Sequence, residues 1–191
     1  MVAEIDPGVT RAAREYLWLS PETPGLKIVH RDARAALQSL PGEPTFDVVF
    51  GDAFRDITIP THLVTREFHR EIAVRLKPGG FYVVNVVDDA ENPRFLFSLI
   101  KTLNADFKTV EVWMSGDEMS DRGRVTYVVL ASQAPTSVST IESSRGTART
   151  WFRWPEAELR ELIAAQEVPE LTDDFAPVDW LMAGLVFSAN D

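Results

Sequence analysis

Three stretches limit what this chain can fold into: "GLKIVHRDA", "TFDVVFGDAF" and "GFYVVNVVDD". Each is a short apolar, β-branched run that ends on an acidic residue. Continuous apolar runs of this length read as strands buried on both faces, the pattern of a parallel sheet with helices above and below. Helix-like segments separate them. "RAALQSL" follows the first, and "VTREFHREIAVRLKPGG" follows the second, with Val64, Phe68, Ile72 and Leu76 on one stripe. "NPRFLFSLIKTLNADF" follows the third as another amphipathic helix. "KTVEVWMSG" and "GRVTYVVLAS" then come without a helix between them, so they read as an antiparallel pair joined by "DEMSDR".

At the N-terminus "VAEIDPGVTRAAREYL" repeats the motif, a strand passing straight into a helix. Asp6 suits the helix cap, and Pro7 the first helical position, where its missing N–H costs nothing. The fold class expected is α/β: a doubly wound, mostly parallel sheet with an antiparallel terminal strand, and with one strand fewer at its start than such a sheet begins with. Residues 1–132 form this domain. Residues 133–150, "QAPTSVSTIESSRGTART", read as a polar loop or linker. Residues 151–191 read as a helix, "PEAELRELIAAQ", and an apolar segment that packs back on the main domain.

Composition narrows the function classes. The 191 residues contain no cysteine, which removes disulfides, thiolate metal sites and a cysteine nucleophile. His30, His62 and His69 lack metal-ligand spacing, and His62 and His69 read as surface residues. A formal charge of −10 argues against nucleic acid and suits a cationic small substrate. No run approaches the roughly 20 apolar residues of a membrane span, and no signal peptide is visible, so a cytoplasmic protein is expected.

Open parallel sheets bind ligands in the crevice outside the carboxyl ends of their strands. Glu4, Asp32 and Asp52 each fall at such an end. Singly, an acidic residue there is as well explained by a helix cap or a solvent exit, but three in consecutive βα units point to a shared site. A carboxylate in Glu4's place accepts hydrogen bonds from ribose hydroxyls, and Asp32, one strand out, can accept from an adenine amine.

"AEID", "HRDAR", "FDVVFGDAF", "LVTREFHREI" and "LKPGGFYVVNVVD", in this order, resemble the successive motifs of the spermidine synthase (polyamine aminopropyltransferase) family, which has the S-adenosylmethionine-dependent methyltransferase fold. "LTDDFAPVDWL" is similar to the C-terminal motif of bacterial spermidine synthase-like proteins. The resemblance implies aminopropyl transfer from decarboxylated S-adenosylmethionine to an amine, without a metal. It places Glu4 on the ribose, Asp32 on the adenine amine with Ala33 beside it, and Asp52 as the base that deprotonates the attacking amine.

Two departures accompany it. Where the family has a second aspartate three residues after the first, this chain has Arg55, with Asp56 one further on; Asn85 stands where the family has a glutamine. Asp56 and Asn85 are therefore the substrate-binding candidates. The family's first strand and glycine-rich loop also have no counterpart here, so an incomplete site is expected unless a partner, such as another copy in a homo-oligomer, completes the sheet. Two alternatives stand beside this reading: a small-molecule methyltransferase using S-adenosylmethionine, and a non-catalytic oligomerising remnant of the fold. The aromatic cluster Trp151, Phe152 and Trp154, with Trp180, reads as an anchor for the C-terminal segment. Asp173 and Asp174 fit either a cationic substrate or a turn.

Overall fold

The computed structural model describes residues 1–53, 58–117, 123–144, 146 and 148–188. The chain forms two compact units, Met1–Gly42 and Glu43–Asp191.

The first unit is a βαβα arrangement. Strand β1 (Val2–Ala3) leads into helix α1 (Pro7–Tyr16), and β2 (Ile28–Val29) leads into α2 (Ala33–Gln38). The strands pair in parallel, Val2 opposite Ile28 and Ala3 opposite Val29. Both helices start where side chains satisfy their first free N–H groups. Asp6 accepts from the Gly8 N–H at 2.7 Å and Asp32 accepts from the Ala35 N–H at 2.9 Å. The return from α1 is tight: Trp18 takes a positive φ of 56°, and its indole lies almost wholly in solvent.

The second unit holds a six-stranded sheet in the order β3-β4-β6-β5-β8-β7. Its strands are β3 (Phe46–Gly51), β4 (Leu76–Asp89), β5 (Thr109–Ser115), β6 (Arg124–Ser132), β7 (Thr140–Glu142) and β8 (Thr150–Arg153). β3 and β4 run parallel, and the other pairings are antiparallel. Helices α3 (Arg66–Ala73) and α4 (Arg94–Leu103) are the two crossover helices, and α5 (Glu156–Ala164), α6 (Val178–Leu181) and α7 (Ala183–Ser188) follow the sheet.

The core lies on one face of this sheet. Tyr82, Val84 and Val86 of β4 are buried there, as are Phe68 and Ile72 of α3 and Phe95, Leu96, Leu99, Ile100 and Leu103 of α4. Burial of each large side chain contributes about 1.5–3 kcal/mol. On the opposite face of β4, Val83 and Val87 are only half-buried and Asn85 is exposed.

Three expectations change. The apolar stripe of the third segment predicts a helix reaching Leu76, but α3 stops at Ala73. Leu76 already pairs with Phe46, and the Lys77-Pro78-Gly79-Gly80 run belongs to β4. Pro78 and the positive φ of Gly79 (80°) cost little there, because this end of β4 carries a register irregularity. Secondly, the polar stretch 133–150 carries β7 and meets the start of β8. β8 pairs with β5, and that tertiary pairing overrides the local loop composition.

The third correction is His69, expected on the surface and found fully buried. It faces the sheet between Phe68 and Tyr82, with ring centroids 6.0 and 5.7 Å away, and neither ring nitrogen has a hydrogen-bond partner. Burial depresses its pKa to about 3. A histidine at its ordinary value near 6.5 in the unfolded chain and near 3 in the folded one lends stability above pH 6.5, which is lost as pH falls. Between pH 7 and 5 this loss amounts to about 2 kcal/mol. Asp88 works in the opposite sense: burial raises its carboxyl to about 6, so folding gains as pH drops through that value. Urea unfolding of wild type and His69→Leu at both pH values isolates the histidine. The variant's stability is expected to fall by about 2 kcal/mol less between pH 7 and 5 than wild type's. An equal fall in both proteins would remove His69 from the acid response.

Candidate active site at the carboxyl ends of the strands

In the first unit, Glu4 and Asp32 lie at the same end of the paired strands. Glu4 follows β1 directly, and its N–H bonds the Val29 carbonyl at 3.0 Å. The Glu4 carboxylate is half-exposed; Oε1 accepts the Asp6 N–H at 2.8 Å, which fixes the side chain and leaves Oε2 as an acceptor. Asp32 is half-buried as the cap of α2, and Ala33 is the first residue of that helix. These three positions thus share one rim, and the acceptor chemistry there fits hydroxyl and amine donors of a nucleoside.

In the second unit, Asp52 follows the last residue of β3 and is exposed. Gly51, the last residue of β3, stands opposite Val84, the residue before Asn85 on β4. Asn85 is also exposed. A carboxylate supplies acceptors for an ammonium or amine N–H and one site for its proton, and a carboxamide oxygen supplies a further acceptor. Asp56, together with Arg55, lies outside the described residues.

The backbone beneath Asp52 is held by a close approach. A Cβ on Gly51 would stand 2.5 Å from the Tyr82 hydroxyl and 3.0 Å from Cε2 of its ring. Tyr82 is buried, stacked on Phe107 at 6.4 Å and tilted against His69, so it has little room to yield. Gly51→Ala is therefore expected to cost about 1–3 kcal/mol by overpacking. Tyr82→Phe in the same chain should recover part of that loss, and thermal unfolding of both single variants and the double variant measures it. Additive losses would show that the hydroxyl is not the obstacle.

Carboxyl-end features that the sequence did not reveal come from the C-terminal segment. Asp173 accepts the Thr65 hydroxyl at 2.7 Å, just before α3, and its own N–H bonds Glu67 at 3.0 Å. That is a structural tie. Arg94, at the start of α4, lies over the Trp180 ring at 3.8 Å, a cation–π contact between groups 86 positions apart and invisible to local pattern. Trp180 stays half in solvent, whereas Trp154 stacks on buried Tyr127 at 6.1 Å and is an anchor as expected. Asp88, buried at the end of β4, accepts the Leu96 N–H at 2.9 Å and the Asp89 N–H at 2.8 Å. It caps α4 from a distance, since Pro93 has no side chain to do so.

Charge is unevenly shared. The first unit has five acidic and five basic side chains, so the whole formal −10 falls on the second, which carries Asp52.

Two curated proteins match part of the sequence. A probable polyamine aminopropyl transferase from Bifidobacterium longum is 36% identical over 83 residues, which is 44% of this chain and 18% of that protein. A polyamine aminopropyltransferase from Vibrio vulnificus is 35% identical over 86 residues, 44% of this chain and 28% of that protein. The chain is similar to polyamine aminopropyltransferases. In both cases it spans less than a third of the relative's length. No protein-family model matches. Among solved structures, a probable spermidine synthase from Corynebacterium glutamicum superposes with a TM-score of 0.73 at 24% identity, covering 92% of this chain and 64% of the other. A spermidine synthase in complex with the transition-state analogue AdoDATO gives 0.59 at 17% identity, covering 97% and 60%. The fold is the Rossmann-like α/β fold that spermidine synthases share with methyltransferases.

Proposed function

We propose that this chain is a spermidine synthase-like transferase that moves the aminopropyl group of decarboxylated S-adenosylmethionine to an amine acceptor. The observation that carries the reading is Asp52, an exposed carboxylate immediately beyond β3, in a chain similar to aminopropyltransferases. Asp52 takes a proton from the acceptor's nitrogen, whose lone pair then attacks the carbon next to the sulfonium. As the N–C bond forms, the C–S bond breaks, and its electrons leave with sulfur as neutral methylthioadenosine. The chemistry asks for in-line placement and a carboxylate within hydrogen-bond reach of the amine.

In this reading Glu4 holds the ribose through its remaining oxygen, Asp32 takes the adenine amine with Ala33 beside it, and Asn85 and Asp56 hold the acceptor. The excess negative charge of the second unit draws in a cationic amine. The partners are a nucleoside and an amine, with no nucleic acid or membrane surface; the protein is a cytoplasmic homo-oligomer. Among the described residues no helix is long and apolar enough to cross a membrane.

Titration calorimetry with methylthioadenosine, followed by product analysis with the carboxylated and decarboxylated sulfonium donors, tests the proposal. Heat of binding, and methylthioadenosine released only from the decarboxylated donor in the presence of an amine, are expected. S-adenosylhomocysteine formed from the carboxylated donor would make the protein a methyltransferase. Absence of nucleoside binding would leave a fold without the chemistry.

A further inference from the structure

The C-terminal run "LTDDFAPVDWL" has no task in the transfer chemistry above. Its first half folds into a tight turn. The Thr172 N–H bonds the Phe175 carbonyl at 3.0 Å, and the Phe175 N–H bonds the Thr172 carbonyl at 3.1 Å, with Asp173 and Asp174 at the tip. This turn docks on the start of α3 through bonds that run in both directions. The Thr65 hydroxyl donates to Asp173 Oδ1 at 2.7 Å, and the Asp173 N–H donates to Glu67 Oε2 at 3.0 Å. Between them, the Arg66 N–H donates to the Leu171 carbonyl at 2.8 Å, and the Arg66 guanidinium meets Glu170 at 3.0 Å.

The place of this contact matters. α3 carries the chain from the end of β3 back to the start of its parallel neighbour β4, so its first turn lies at the carboxyl end of β3, the end that Asp52 follows. Thr65 is 1% exposed, and Leu63 and Val64 before it are buried with it. The Thr65 oxygen also accepts the Phe68 N–H, at a long 3.4 Å, as the cap of α3. Donation to a carboxylate fixes that hydroxyl, because its proton is committed to Asp173 and its lone pairs are left to the helix. We infer that Asp173 is a positioning residue: by orienting Thr65 it fixes the far end of the connection that leaves Asp52, and thereby holds that carboxylate in place for the amine. The near end of the connection is set by the pairing of β3 with β4. The inference rests on the transfer reading and extends it to the C-terminal motif.

Kinetics with the amine as the varied substrate test it, on wild type, Asp173→Ala and Asp173→Asn at a temperature where all three are folded by circular dichroism. Asp173→Ala is expected to lower kcat/KM for the amine by about 10–100-fold, the range for a reacting group displaced by up to about 1 Å. Methylthioadenosine should bind with wild-type affinity, because Glu4 and Asp32 belong to the first unit. Asp173→Asn keeps an acceptor for the Thr65 hydroxyl and should recover most of the rate. A tie that serves stability alone would lower the urea midpoint and leave kcat/KM of the folded variants at the wild-type value, which would overturn the inference. Equal losses in Asp173→Asn and Asp173→Ala would also overturn it, by placing the charge of Asp173 on the cationic amine instead of on Thr65. Hydrogen exchange separates this inference from the transfer reading. In Asp173→Ala the amides of Leu63, Val64 and Phe68 should exchange faster, with those of Leu99 and Ile100 in α4 unchanged, whether or not the chain transfers anything. That local difference in a wild type without transfer would refute the transfer reading and keep Asp173's hold on the connection. Unchanged exchange at these three amides would overturn the inference in an active or an inactive protein.

Discussion

Asp52→Asn is expected to lower the aminopropyl transfer rate by a factor of roughly 10²–10⁴, the usual worth of a positioned proton acceptor, and to leave methylthioadenosine affinity unchanged. The carboxamide is nearly isosteric and can still accept a hydrogen bond from the amine, but it cannot take the proton. Loss of rate without loss of nucleoside binding is the signature of a base, as opposed to a residue that shapes the site. Single-turnover rates and calorimetry on the same preparation make the comparison. Because Asp52 is exposed beyond the end of β3, the variant should also unfold at the wild-type urea midpoint. A full rate in Asp52→Asn would assign the proton to another group.

The largest change in stability is expected at Phe95. Helix α4 differs from α3 in being buried almost all round: Phe95, Leu96, Phe97, Ser98, Leu99, Ile100, Thr102 and Leu103 are all buried. Phe95 is fully buried, two positions into a helix whose first turn relies on the remote Asp88 carboxylate. Phe95→Ala removes the ring and leaves a cavity in surroundings tied down on several sides, which costs about 3–5 kcal/mol. Urea unfolding read by circular dichroism would show it as a lower midpoint. A loss below about 1 kcal/mol would mean that the site collapses around the alanine.

How far the fold was legible depended on whether a segment's partner was local. Apolar runs marked β3, the main body of β4, and β6 as strands, but the expected burial on both faces is not met, since Val83 and Val87 are only half-buried and Asn85 and Phe50 are exposed. Asp6 was readable as a helix start, since the group it satisfies lies two residues away, whereas Asp32, read as a strand end, proves also to cap α2. The end of α3 was not readable. Val64, Phe68, Ile72 and Leu76 obey the helical period, yet Leu76 is claimed by a strand partner thirty residues earlier. His69 was misplaced for a similar reason: its ring is surrounded by Tyr82 and Phe68, and composition reports none of that packing. β8 owes its existence to β5, some 40 positions upstream.

At the candidate site, Glu4 and Asp32 follow strand ends in the first unit and Asp52 follows the end of β3 in the second, whereas Asn85 lies within β4. The Arg94–Trp180 stack and the Asp173–Thr65 bond were hidden, because each joins groups more than 80 positions apart.

Residues 168–171 follow α5 without forming a strand, yet their main chain is not left to water. Lys101 donates to the Val168 carbonyl, Ser98 donates to that of Pro169, and the Leu171 N–H is received by Thr102 at 2.8 Å. Three side chains of α4 thus do for this stretch what a neighbouring strand would do for an ordinary one. The path of the last quarter of the protein is thereby written into a helix that was laid down some seventy positions before it, and an apparently conservative exchange of valine for Thr102 would erase a line of that instruction.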